Sequence, residues 1–226
     1  EFGLPATAFL SPDESGGGDW EVRWYSPARE IALCGHASLA CGHVLFGSLE
    51  RGDARDSIAL RSRNSGILDL RRTEAAYELS LPAIKIEPSQ LDEAVAALGG
   101  GPEEVFRSDL GYNIFVFAQE AQVRGLTPDF ARLAALGDDQ FICTAPGEAS
   151  DIVSRVFVPG GGANEDSVTG SAHAALASYW TPRVGRERLT AYQASPRGGH
   201  LALRVGQDRV WLGGPCVTFG EGRFYL

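Results

Sequence analysis

Apolar and polar positions alternate through Arg23-Trp24-Tyr25-Ser26-Pro27 and again through Arg155-Val156-Phe157-Val158-Pro159, each run closing on a proline. Period-two alternation marks a half-buried strand, and the two runs lie 132 residues apart. Downstream of each comes a G-x-A-x-x-A segment, at Gly35, Ala37 and Ala40 and at Gly170, Ala172 and Ala175, offset by 135. Both segments predict helices of small residues that continue to a bulky end, Val44-Leu45-Phe46 in one and Tyr179-Trp180 in the other. Beyond them G-x-L-x-L recurs at Gly66, Leu68 and Leu70 and at Gly199, Leu201 and Leu203. L-x-x-P recurs at Leu79, Pro82 and at Leu212, Pro215, both repeats at an offset of 133. Matches in one order at nearly constant spacing read as a duplicated fold. Each half is then strands, one central helix and more strands; a helix small around its whole circumference suits a place wrapped by curved sheet.

The halves differ at their starts. Before Phe141, which falls 132 residues after Phe9, the second half carries a strand-like run from Tyr112 to Phe117. It also carries a helix-like run from Thr127 to Leu136, with Thr127 and Pro128 in cap and first-turn positions. Almost none of this has a counterpart before Phe9, and the chain contains no methionine. The expectation is that the first half lacks its opening strands and helix. Either residues precede Glu1 in the native protein, or an exposed sheet edge is covered by association, which makes a homodimer the expected state. Gly99-Gly100-Gly101 and Pro102 read as a linker between domains 1–101 and 102–226, with the C-terminal segment open to joining the first.

Candidate chemistry concentrates at 160–180, G-G-G-A-N-E-D-S-V-T-G-S-A-H-A-A-L-A-S-Y-W. A glycine-rich loop with Glu165 and Asp166 runs into a helix starting near Gly170, with Thr169 and Ser171 at its first turn. Unsatisfied amides and the helix dipole at such an end attract anions, and a carboxylate beside them suits proton transfer. The plainer reading is that Asp166 caps the helix and the glycines turn the chain.

Composition narrows the classes. A formal charge of −9 over 226 residues argues against nucleic acid or an anionic membrane as the main partner, and no run approaches a membrane span. Cys34, Cys41, Cys143 and Cys216 have neither disulfide-scaffold density nor zinc-site spacing, so a reducing cytoplasm is the expected compartment and no metal is expected. Lys85, the only lysine, lies in I-K-I, a poor setting for a Schiff base. Phosphate-loop and dinucleotide motifs are missing, as is a G-x-S-x-G elbow.

At L-C-G-H-A-S-L-A-C-G-H-V-L-F (33–46), E-D-S-V-T-G-S-A-H-A-A-L-A (165–177) and Q-A-S-P-R-G-G (193–199) the sequence resembles the phenazine-biosynthesis PhzF-like family, related to diaminopimelate epimerase. The resemblance implies an α+β fold of two similar domains, each a curved, mainly antiparallel sheet or barrel around a central helix. It also implies a cofactor-free cleft at both helix N-termini, and proton movement on a small carboxylate substrate. Carried over by motif, His36, Asp166 and Ser171 are the catalytic candidates. Gly35, Ala37, Ser38, Thr169, Gly170 and Ala172 are the substrate-binding candidates. The family's glutamate in a stretch like L-S-E-T-x-F is replaced: here Leu4-Pro5-Ala6-Thr7-Ala8-Phe9 puts Ala6 at that place, and alanine cannot move a proton. A catalytically silent, metabolite-binding or assembly protein is therefore the competing expectation. Cys34 at a helix N-terminus, where a thiol's pKa falls, is an alternative acid/base, against a role as small buried filler. His43, His173 and His200 read as packing or surface residues.

Overall fold

Strand pairing carries the duplication into three dimensions. The computed structural model describes residues 4, 6–26, 29–48, 55–74 and 76–223; Pro27, the end of the first alternating run, lies outside them, as does Pro5. In chain order the first half supplies β1 (Thr7–Pro12), β2 (Trp20–Tyr25), β3 (Glu30–Ile31), α1 (Gly35–Ser48), β4 (Ser57–Ser62), β5 (Gly66–Arg72) and β6 (Tyr77–Pro82). There follow β7 (Glu87–Pro88), α2 (Asp92–Leu98), β8 (Glu104–Arg107), β9 (Tyr112–Val116), α3 (Glu120–Arg124) and α4 (Phe130–Ala135). The chain continues through β10 (Gln140–Pro146), β11 (Ile152–Val158), a 3-10 turn at Pro159–Gly161, β12 (Ala163–Asp166) and α5 (Gly170–Val184). It closes with β13 (Arg188–Gln193), β14 (Gly199–Val205) and β15 (Arg209–Gly214).

One mixed, mostly antiparallel sheet runs β1-β2-β4-β5-β6-β15-β14-β13-β11-β10-β9-β8-β7. The order is mirrored about the β6–β15 seam. β2 is antiparallel to β1 and parallel to β4, and β11 is antiparallel to β10 and parallel to β13. At the seam the repeated leucines Leu79 and Leu212 face each other in register. β1 ends the sheet on its side among the described residues, whereas β10 is extended by β9, β8 and β7.

The main core gathers both central helices and the inner faces of both halves, including Leu60, Leu70, Leu79, Leu81 and Leu212. α5 is buried on nearly every side from Gly170 to Ala177, which is why its residues are small rather than segregated into apolar and polar faces. Gly42 of α1 lies so close to β5 that an added Cβ would sit 3.3 Å from the Leu70 methyls. A second core on the outer face of the second half packs α2, α3 and α4 against Phe115, Phe117, Phe141 and Phe157.

Two local expectations change. The helix expected from Thr127 starts at Phe130, because the Asp129 side chain takes the cap and accepts from the Arg132 amide at 3.1 Å. The glycine-rich stretch expected as a loop forms the 3-10 turn and β12, paired to β11. Ala94, Ala97 and Leu98, which precede the glycine triplet, pack into the second core, and β7 pairs with β8. No helix among the described residues is long and apolar enough to cross a membrane.

Candidate active site

Closing the sheet at β6–β15 brings the first turns of α1 and α5 together. Each helix begins with a glycine, and the two back onto each other. A Cβ on Gly35 would lie 3.0 Å from the Gly170 Cα; one on Gly170 would lie 3.1 Å from both the Gly35 Cα and the Leu212 Cδ1. A side chain at either position would press on the other helix, and glycine removes that contact. Two sets of first-turn amides, unpaired within their own helices, therefore border one cavity of about 370 Å³. Cys34, Gly35 and His36 line it from the first half; Asp166, Thr169, Gly170 and Ser171 line it from the second. Two positive helix ends favour an anion there.

Asp166 closes β12, opposite Val156 of β11. Strand alternation sends adjacent side chains to opposite faces. Asp166 lines the cavity, while Glu165 accepts from both arms of Arg155, each at 2.8 Å. Arg155 also donates to the Leu126 carbonyl at 2.8 Å, so this partly buried pair ties β12 to the chain between α3 and α4. On the cavity side, the Thr169 hydroxyl donates to Asp166 Oδ2 at 2.6 Å. The Thr169 amide donates to Gln193 Oε1 at 2.7 Å, and Gln193 Nε2 donates to the Asp166 carbonyl at 2.7 Å. Ser195 adds a bond to the Ser167 carbonyl at 2.8 Å. Fully buried Gln193 thus holds the 166–169 turn. Sequence reasoning gives it no role, although an amide at the inner end of an alternating strand, inside the Q-A-S-P-R-G-G run, is the available signal.

His173, one turn into α5, is completely buried. Its Nδ1 lies 2.7 Å from the Thr169 carbonyl and its Nε2 lies 3.1 Å from Ser154 Oγ. Burial pushes its pKa down to about 4, so near neutral pH the ring is uncharged, donating through Nδ1 and accepting through Nε2. Tyr112 of β9 is also buried; burial raises its phenol pKa, and the Ser171 side chain opposes the rise.

The thiol of Cys34 reverses the expectation from its helix-terminal place. Burial pushes it up to about 11; the Ala37 amide opposes this, and the nearby Asp166 carboxylate adds to it. Desolvation of a thiolate outweighs the helix dipole here. Exposed His36 stands at the cavity with each ring nitrogen 3.9 Å from Cys34 Sγ, a weak contact. Ala37, Ser38 and Ala172 do not line the cavity. Ala37 and Ala172 are buried in the core, and the Ser38 hydroxyl donates to the Cys34 carbonyl at 2.6 Å. His43 sits between Tyr77 and Thr218, and His200 lies against Tyr192, both outside the cavity.

Ala6, Arg29, Asp138 and Gln140 are among the further residues of the wall that were not singled out as ligands. Arg29 and Asp138 form an ion pair between the halves.

A family model described as phenazine biosynthesis-like protein matches residues 1–222. An uncharacterized isomerase of Pseudomonas aeruginosa is 40% identical over 229 residues, covering 100% of this chain and 84% of that protein. The human phenazine biosynthesis-like domain-containing protein is 32% identical, over 89% of this chain and 76% of its own. Among solved structures, a phenazine biosynthesis protein of the PhzF family from Enterococcus faecalis superposes with a TM-score of 0.87 at 40% identity, covering 99% of this chain and 84% of that one. A probable proline racemase from Agrobacterium radiobacter, 13% identical, covers 98% of this chain and 76% of its own with a TM-score of 0.67, a likeness of fold.

Proposed function

The chain belongs to the phenazine biosynthesis-like family, and on that premise we propose that it is an isomerase or epimerase that moves a proton on a small carboxylate-bearing metabolite. The observation that carries this reading is the meeting of two helix N-termini with His36, Asp166 and Ser171 around one cavity. The substrate carboxylate rests on the first-turn amides of α1 and α5 and on the Ser171 hydroxyl, where the helix ends stabilise it without a counter-cation. Asp166 transfers the proton. Its Oδ2 accepts from the Thr169 hydroxyl, and Oδ1 takes the proton. His36, at the start of α1, assists as hydrogen-bond donor or acceptor to the charge that develops on the substrate. None of these steps calls on a cofactor.

Ala6 favours a second reading, a family member that binds the metabolite without turning it over. It lines the same cavity, where a glutamate would put a second acid/base. Asp166→Asn decides between an active carboxylate and a silent one: the first reading expects a clear loss of proton exchange, the second no change. A homodimer completes the proposal, with the half-exposed Phe9 of terminal strand β1 at a covered edge; sedimentation velocity at micromolar concentration tests it.

A further inference from the structure

We infer that His173 is a positioning residue for the proton transfer: through Thr169 it holds the Asp166 carboxylate in place, and Ser154 anchors its ring. The inference rests on reading Asp166 as the group that carries the proton. Three polar side chains stand in register across neighbouring strands beneath α5, Thr144 on β10 opposite Ser154 on β11, and Ser154 opposite Gln193 on β13. All three are completely buried. Each meets a different residue of α5 or its cap. Thr144 Oγ1 accepts from Trp180 Nε1 at 3.0 Å, Ser154 Oγ lies 3.1 Å from His173 Nε2, and Gln193 Oε1 accepts from the Thr169 amide at 2.7 Å. Thr169, His173 and Trp180 follow one another at helical spacing and form one stripe of α5, so the row sets the register of the helix on the sheet. At the cavity end of the stripe the bonds form a chain. The Thr169 carbonyl is only an acceptor, so His173 carries its proton on Nδ1 and donates at 2.7 Å, a shorter bond than the one its own amide makes to the same oxygen at 3.3 Å. Nε2 is then an acceptor, and the Ser154 hydroxyl donates to it. With its carbonyl taken by His173 and its amide by Gln193, Thr169 is held on both sides of its Cα, and its hydroxyl donates to Asp166 Oδ2 at 2.6 Å. Asp166 pairs with Val156 of β11, the strand that carries Ser154, so the chain of bonds closes where it began. Burying an imidazole completely is unfavourable unless both nitrogens find partners, and here both do, on two different elements.

The test reads the Thr169 side chain directly. In the intact, isotopically labelled chain, three-bond couplings from the Thr169 Cγ2 carbon to the backbone nitrogen and carbonyl carbon give its χ1 rotamer. The same proteins are assayed for deuterium incorporation from solvent into a panel of small amino and cyclic carboxylates. The native chain should show one Thr169 rotamer. His173→Leu removes both ring bonds and should show averaged couplings. Its incorporation at saturating carboxylate should be about ten- to hundredfold slower, the cost of a misplaced reacting group, with half-saturation within about threefold of native. Ser154→Ala leaves the ring without its second anchor and should average the couplings as well. His173→Asn keeps a donor at the place of Nδ1 and should restore the single rotamer and most of the rate, a rescue that packing alone does not produce because asparagine fills the core no better than leucine. A single native rotamer in His173→Leu overturns the inference alone, and so does an averaged one in His173→Asn. Incorporation that Asp166→Asn abolishes and His173→Leu leaves unchanged does the same. Incorporation absent from the native chain, or untouched by Asp166→Asn, brings down the proton-transfer reading and the inference with it.

Discussion

At Asp166 one carboxylate oxygen is committed to Thr169 at 2.6 Å, and the backbone carbonyl is committed to Gln193 at 2.7 Å. Such a side chain is positioned rather than free to swing, which is what proton transfer at a fixed carbon needs. Asp166→Asn should lower solvent-proton exchange into substrate by about 10²–10⁴-fold, the usual worth of a positioned acid/base, without moving the thermal midpoint by more than a few degrees. His173 makes a different prediction. Its folded pKa of about 4 lies below the free-imidazole value of 6.5. As pH falls through that window the unfolded chain binds a proton that the native state refuses, so the contribution of His173 to stability is present above pH 6.5 and is lost towards pH 4. Urea midpoints measured across the window should fall less steeply with acidification for His173→Gln than for the native chain. His36, Asp166, Ser171 and Ala6 were named through the motifs that resemble the family, and all four line one cavity. The raised thiol of Cys34 was not legible, since it depends on how completely the two helices and the sheet remove it from water.

The two central helices were readable as elements because small-residue periodicity is local, and their glycine starts appear in the sequence as G-x-A-x-x-A. What the pattern could not convey is that the two glycines touch. Gly170→Ala would place a Cβ 3.1 Å from the Gly35 Cα and the Leu212 Cδ1, a tight contact that makes the neighbours give by a few tenths of an ångström. A destabilisation of about 1–3 kcal/mol, typical of overpacking, is expected as a lower urea midpoint at unchanged slope. Gln193 acts across elements: it is on β13 but orders the turn between β12 and α5. Gln193→Leu, similar in volume and without hydrogen bonds, should lower the exchange rate at saturating substrate more than it changes substrate affinity. The helix start at Asp129 and the pairing of β12 escaped sequence reasoning because a cap competes with its neighbours residue by residue, and because β12 is strand only through its partner β11.

Over the whole molecule, the recurrence of strands, helix and strands at nearly constant spacing foretold the duplication, and the facing of Leu79 and Leu212 is its most direct trace. The strand order could not be read, since which repeat strands meet at the seam is a long-range choice. We propose that the boundary between the two units falls after β6 rather than at the glycine triplet 99–101, because α2 packs with Phe115 and Phe141 of the second half. A glycine run marks where the chain turns easily; buried contacts decide to which body a segment belongs. The cleft lies between those bodies, with His36 on one and Asp166 on the other, so the proposed proton transfer draws on both halves at once. The measurement that tests it most directly is mass-spectrometric deuterium incorporation from solvent into a panel of small amino and cyclic carboxylates, run with the native chain, Asp166→Asn and Ala6→Glu. The native chain should incorporate deuterium, and Asp166→Asn should lose that incorporation. Incorporation seen with Ala6→Glu alone would contradict this and identify a competent cleft that lacks its catalyst.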